Sequence, residues 1–236
     1  MSKTFWIVIA VIVAVLIGVF AFTSSNGSNN SSSLTATEHV EGEGKDGVTL
    51  VEYGDYQCPY CGEYFSTVKT VVSNYFDQIT FQFRNFPLTS LHPNAFAGAR
   101  AAEAAGLMGK FWPMHDLLYS QNQEYYNSNG SISSWIGVTN PEPVFVSDAE
   151  SLGLSGTKFA SLYSSDQVNN LVLADENAGN ALNIDATPTF FLDGKEVQVD
   201  DSVSAFDTLI NSAIAQKEGK TTSATTSAGT TAQTKK

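Results

Sequence analysis

Two cysteines, spaced as Cys58-Pro59-Tyr60-Cys61, are all the thiols of this 236-residue chain, and they follow an apolar run, Val48-Thr49-Leu50-Val51-Glu52-Tyr53. With no third cysteine, neither can be half of a disulfide staple elsewhere. A bond across so short a loop also constrains the unfolded chain little. The pair is therefore chemical rather than architectural. A strand that runs into a helix at C-x-x-C puts the first thiol at the positive helix end, where its thiolate is stabilised. The second lies one turn away, able to attack a mixed disulfide. Zinc is the rival reading, but a closed zinc site takes four ligands. The three histidines, His39, His92 and His115, have no paired ligand spacing, and His39 lies in a polar leader. Two inert buried cysteines fit poorly with the proline between them and with Asp55 and Gln57 just upstream.

The chain opens Met1-Ser2-Lys3-Thr4 and then carries no charge from Phe5 to Phe22, 18 residues. As a helix this run is roughly 27 Å long, close to a bilayer core. It has no polar face, and the bulky Val19-Phe20-Ala21-Phe22 gives no small-x-small cleavage site, so an uncleaved signal anchor is expected; the alternative is a removed signal peptide. Lys3 puts the N-terminus in the cytoplasm by the positive-inside bias and the rest of the chain outside, where disulfides persist. Residues 23–44 are mostly Ser, Asn, Thr, Gly and Glu, with almost nothing to bury, and are expected as a flexible tether reaching roughly 25 Å. A folded domain is expected over 45–216, and the Thr/Ser-rich tail 217–236 is expected to be disordered. The 24 Asp+Glu against 12 Lys+Arg give a net charge of −12, which argues against nucleic acid or anionic lipid headgroups as partners.

Within the domain, Val48–Tyr53 reads as a strand and Glu63–Tyr75 as a helix with Phe65, Val68, Val72 and Tyr75 on one side. Ile79–Arg84 alternates as a second strand, so the unit is a right-handed parallel crossover. Helices are expected over Ala95–Met108 and Phe111–Tyr119, and a loop over Tyr125–Pro143. Ser147-Asp148-Ala149-Glu150 reads as a capping box, and Ser155 and Asp166 as caps of two more helices. Thr189–Leu192 and Glu196–Val199 around Asp193-Gly194 give a hairpin, and Val203–Ala215 a closing amphipathic helix.

Together these segments resemble the DsbA-like branch of the thioredoxin superfamily, particularly its membrane-tethered bacterial oxidoreductases. The residues that carry the resemblance are Val51-Glu52-Tyr53-Gly54-Asp55-Tyr56-Gln57-Cys58-Pro59-Tyr60-Cys61, Phe83-Arg84-Asn85-Phe86-Pro87-Leu88 with His92-Pro93, Gly109-Lys110-Phe111-Trp112 with His115, and Ala186-Thr187-Pro188-Thr189-Phe190-Phe191. The resemblance implies an α/β thioredoxin fold with a helical insertion at about 93–183. It implies Cys58 as nucleophile, Cys61 as resolving thiol, and Pro188 as a cis proline beside them, preceded by Thr187. Glu52, six residues before Cys58, matches a buried acid that moves a proton at Cys61. A strand-end Glu facing solvent is the other reading, but Val48 and Leu50 share its face and favour burial. Trp112 and Phe111 read as core, His92 and His115 as packing or local hydrogen bonding, and Tyr56 as rim or half-buried aromatic.

The implied chemistry is disulfide transfer to reduced secreted or cell-surface polypeptides by a monomer. Its redox group is the Cys58–Cys61 disulfide itself, with no other cofactor and no metal. Reoxidation is expected from a membrane quinone-linked thiol oxidase of the DsbB or VKOR kind. Pro59 and Tyr60 tune the pair. Cys-Pro-Tyr-Cys departs from the Cys-Pro-His-Cys of the strongest oxidants, which leaves a reductase or isomerase running the same chemistry backwards as an alternative. A non-enzymatic chaperone or binding module on the same scaffold is a further one.

Overall fold

The computed structural model describes residues 35–131 and 134–228, with backbone alone for 220–228. Its centre is a strand, β2 (Val48–Gly54), in which Val48, Leu50 and Glu52 turn to one buried face, between 0 and 3 % exposed. The strict alternation of the next strand, β3 (Ile79–Asn85), buries Ile79, Phe81, Phe83 and Asn85 beside it. The helix α1 (Pro59–Asn74) joins them as a crossover, and β2 and β3 pair in parallel with Glu52 opposite Phe83. On its other edge β2 pairs antiparallel with β4 (Thr189–Leu192), and β4 turns into β5 (Lys195–Val197). Asp193 and Gly194 make that turn with φ of 50° and 77°, values a glycine and an aspartate tolerate.

Between β3 and β4 the chain inserts five helices: α2 (Ala95–Gly106), α3 (Phe111–Asn127), α4 (Glu142–Ser151), α5 (Gly156–Tyr163) and α6 (Asp166–Ala181). The alanines of α2 allow close helix packing, and Ala99, Ala101, Ala102, Ala104 and Ala105 are all buried. The closing helix α7 (Val203–Ala228) buries Phe206, Ile210 and Ile214 in the main core. A smaller apolar group, Tyr53, Phe86, Ile184 and Phe191, fills a second cluster.

Several expectations are corrected. The fold begins inside the segment read as tether: β1 (His39–Glu41) pairs antiparallel with β3, giving the order β1-β3-β2-β4-β5. Thr37 and His39 are polar because they serve buried acids. Thr37 donates from N and Oγ1 to Asp175 at 2.7 and 2.6 Å, and His39 Nε2 lies 2.8 Å from Glu103. The capping-box pattern at Ser147–Glu150 falls within α4, which starts at Glu142 with a proline in its first turn. Helix α3 runs on to Asn127, into the expected loop. Ser155 caps α5 as expected, accepting from Lys158 N, but Ser165 rather than Asp166 caps α6, accepting from Val168 N. Helix α7 continues past Ala215 to Ala228, into the segment read as a tail, which has Gly219 but no proline to stop it. The span expected at 5–22 lies outside the described residues; among those described, no helix is long and apolar enough to cross a membrane.

Candidate active site

The cysteines sit where β2 ends and α1 begins. Cys58 is the N-cap, with extended backbone (φ −67°, ψ 124°), Pro59 opens the helix, and Cys61 lies in its first turn. Proline suits that place because its missing N–H has no partner to lose there. The first turn carries no acid to offset the helix dipole. Both thiols are free. Cys58 is 3 % exposed against 0 % for Cys61, and its sulfur faces the Thr187 carbonyl at 3.4 Å.

The two thiols are held in opposite protonation states. The Cys61 thiol donates to Cys58 and outweighs the burial that raises it, bringing the Cys58 pKa down to about 6. The Thr187 hydroxyl, buried with no partner among the described residues, is free to turn its proton to that thiolate. Cys61 is driven well above the usual thiol range, first by burial and then by Cys58 and Glu52. Glu52 itself is pushed up to about 8 by burial, with the Cys58 charge adding to it. A low-pKa outer thiol and a protonated inner thiol above a protonated carboxyl are what directional thiol exchange requires.

The loop from Gly54 to Cys58 is clamped. Asp55, 1 % exposed, accepts from Gln57 N (2.7 Å), from Leu88 N (3.0 Å) and from His92 Nδ1 (2.7 Å). That bond to Asp55 raises the His92 pKa, so the pair is an ion pair over a wider pH range than a free imidazole allows. From α3, Asn122 Nδ2 donates to the carbonyls of Tyr56 (2.9 Å) and Cys58 (3.0 Å), and Tyr126 Oη to that of Gln57 (2.9 Å). Gln57 in turn accepts from Asn94 N at 2.6 Å. Gly62 is required beneath this clamp, since a Cβ there would stand 2.0 Å from Asn122 Oδ1. Tyr56 is neither rim nor half-buried: at 1 % exposure it packs under the loop on Phe83 and Tyr119.

On the opposite side of the cysteines, Thr187 and Pro188 are joined by a cis bond. With Tyr60, Tyr64 and Val199 they border a cavity of about 200 Å³. Tyr60 is 63 % exposed and stands at its rim. Among the described residues no group of three or more His, Cys, Asp and Glu is placed to hold a metal ion. Sequence reading placed the cysteines, Glu52, Thr187 and Pro188 together, and they lie together. It missed Asn94, Asn122 and Tyr126, whose partners are distant in the chain, while His92, read as packing or hydrogen bonding, does the latter and braces Asp55. The apposition of Asp55 and His92 had one local trace, the Gly-Asp and His-Pro of the segments that carry the resemblance.

The comparisons agree with this geometry. A family model described as Thioredoxin matches residues 34–212. The oxidised BdbD of Bacillus subtilis is similar with a TM-score of 0.63, at 20 % identity, over 75 % of this chain and 92 % of that one. A thioredoxin-like oxidoreductase from Silicibacter pomeroyi gives 0.60 at 24 % identity, over 78 % and 97 %. MdbA of Actinomyces oris, a thiol-disulfide oxidoreductase, gives 0.59 at 17 %, over 73 % and 86 %. A curated relative from Salinispora arenicola, named Na(+)/H(+) antiporter NhaA 1, is 32 % identical over 178 residues, 75 % of this chain and 25 % of that protein. The chain thus spans about a quarter of the length of the curated relatives it matches. The fold is that of the thiol–disulfide oxidoreductases among the structures it is similar to. The chain belongs to the thioredoxin family, with the DsbA-like arrangement of sheet and helical insertion.

Proposed function

We propose that this chain oxidises reduced secreted or cell-surface polypeptides outside the cytoplasm, through its Cys58–Cys61 disulfide and no other cofactor. The observation that carries the reading is the opposite poise of the two thiols, Cys58 at about 6 and Cys61 well above its ordinary value. A substrate thiolate attacks the Cys58 sulfur, the Cys58–Cys61 bond breaks, and Cys61 leaves as a thiolate that takes a proton from the Glu52 carboxyl. A second substrate thiolate attacks the substrate sulfur of the mixed disulfide. Cys58 then leaves as a stabilised thiolate, the substrate keeps the new disulfide, and two electrons remain on the cysteine pair. Thr187 and Pro188 would present extended backbone to the substrate at the border of their cavity, in sheet-like pairing. Pro59 and Tyr60 set the poise.

Reoxidation falls to a membrane quinone-linked thiol oxidase of the DsbB or VKOR kind, and a membrane anchor at residues 5–22 would keep the monomeric domain near it. Mixing the oxidised full chain with reduced ribonuclease and counting the free thiols of each protein separately tests the reading. Loss of substrate thiols in step with reduction of the pair supports it, and no transfer rejects it. One observation favours the reverse direction: Tyr60 puts no cation beside Cys58, which leaves the reduced form less stabilised than a histidine there would. A reductase would reduce insulin disulfides rapidly and leave reduced ribonuclease untouched. A binding module without redox activity would do neither.

A further inference from the structure

Glu52 must exchange its proton with solvent once per cycle, and the route past the cysteines is closed. Cys61 is fully buried, and the loop above it is held by Asn122, Tyr126 and Asp55. Behind Glu52 lies a second cavity of about 60 Å³, bordered by Glu52, Tyr119 and His115 and by Glu41, Lys69 and Asp116. Lys69 and Asp116 are well exposed and paired with each other, which marks the outer end. Its remaining wall is apolar, Phe65, Val68, Val72, Phe81 and Trp112, but a cavity of this size with polar groups at Glu52, His115 and Asp116 has room for a water held by them.

His115 has no other assignment. It is 5 % exposed, and neither ring nitrogen has a hydrogen-bond partner among the described residues. The ring is fixed instead by edge contacts with Phe83 at 4.7 Å, Tyr119 at 5.0 Å and Trp112 at 5.1 Å. Phenylalanine would fill that aromatic nest without burying two unpartnered nitrogens. Nδ1 lies 3.6 Å from Asp116 Oδ1, too long for a hydrogen bond and within ion-pair range once the ring is protonated. Burial holds the imidazole below its ordinary value, so it is neutral at rest and able to take a proton and pass it on.

We propose that His115 relays protons between Glu52 and solvent through this cavity, with Asp116 as its outer partner. The relay rests on the oxidoreductase reading above. When the reduced pair is reoxidised, Cys58 thiolate attacks the partner's disulfide and one partner thiolate leaves. Glu52, protonated in the reduced protein, first releases its proton through His115 to bulk water, and its carboxylate then takes the Cys61 proton as Cys61 displaces the second partner thiolate from Cys58. In substrate oxidation Glu52 gives its proton to the Cys61 thiolate and is reprotonated from bulk water through His115, so one proton passes the relay in each direction per cycle. The charged and titratable groups that face the ring are Asp116 and Lys69, His39 beyond Phe111, Glu41 and Glu52 across the cavity, and the buried hydroxyls of Tyr56 and Tyr119. Only Asp116 lies within ion-pair distance.

The test is stopped-flow resolution of a preformed Cys58 mixed disulfide by Cys61 against pH, in the full chain. His115→Gln should slow resolution by on the order of tenfold to a hundredfold, the lower part of what a positioned acid–base group contributes. It should leave the rate of Cys58 alkylation unchanged, which also verifies the fold. His115→Ala should be slow and recover in added imidazole, and adding His115→Gln to Glu52→Gln should cost nothing further. Wild-type resolution with an unshifted pH profile in His115→Gln, or losses that multiply in the double variant, overturns the relay alone. If Cys58 of the wild type alkylates no faster than a free thiol, the oxidoreductase reading fails and the relay falls with it.

Discussion

The sheet and the helical insertion contribute to the site in different ways. From the sheet and its junctions come the groups that react or titrate with the cysteines: Glu52 on β2, the pair itself where β2 meets α1, and Thr187-Pro188 before β4. From the insertion come groups that hold: Asn94, Asn122 and Tyr126 grip the backbone and side chains of the loop without touching either sulfur. The difference teaches that chemistry and geometry are separable here. Substitutions on the sheet side should change rates and potentials, and those in the insertion should change stability. His115 and its outer partner Asp116, both on α3, are the residues of the insertion assigned to the chemistry.

The largest effect is expected at the cysteines. Cys58→Ser should abolish exchange, whereas Cys61→Ser should trap substrates as mixed disulfides on non-reducing gels. Equal trapping by the two variants would mean that their unequal poise does not govern attack. Next is Glu52→Gln, which should leave mixed-disulfide formation intact and slow resolution by about a hundredfold, the scale of a lost acid–base group. The same variant has a pH signature. Glu52 binds its proton more tightly folded (about 8) than at its ordinary 4.5, so its contribution to stability is full below about 4.5 and is lost as pH rises through about 8. Across that window the reduced wild type should lose stability relative to Glu52→Gln, by on the order of a few kcal/mol at about 1.4 per unit. Denaturant midpoints of the two proteins against pH measure it, and subtraction removes the opposite slope contributed by Cys58.

In the insertion, Asn122→Ala should cost about 1–3 kcal/mol by stranding two buried carbonyls, seen as a lower denaturant midpoint. The order of reactivity of the two thiols should persist. A reversal would show that the clamp sets the chemistry as well as the shape. The smallest effect is expected at the rim, where Tyr60→His should raise the reduction potential by tens of millivolts, with about 30 mV corresponding to 1.4 kcal/mol. A glutathione titration of the variant beside the wild type measures it. No change would move the control of poise to Thr187, whose hydroxyl faces no other partner among the described residues.

The same division governs what could be read from the amino-acid sequence. Strands β2 and β3, the helix after the C-x-x-C and the hairpin at Asp193-Gly194 all declare themselves locally, through alternation, helical spacing and turn residues. Glu52 was legible because Val48 and Leu50 share its face. Strand β1 was not, because Thr37 and His39 look like solvated polar residues until Asp175 and Glu103, far along the chain, are brought to them. Asn122 and Tyr126 hide in the same way, as polar residues on a helix whose partners are carbonyls more than sixty positions away. The pattern at Ser147–Glu150 shows the converse: a capping signature inside a helix that had already begun at Glu142.

The equilibrium of the Cys58–Cys61 pair with glutathione, read in the full chain, bears most directly on a site built to give up its disulfide. The thiolate at Cys58 should place the potential between about −120 mV and about −200 mV, a moderate oxidant weaker than the strongest of its kind. A potential at or below about −270 mV, where thioredoxin itself lies, would contradict this and make the pair a donor of electrons.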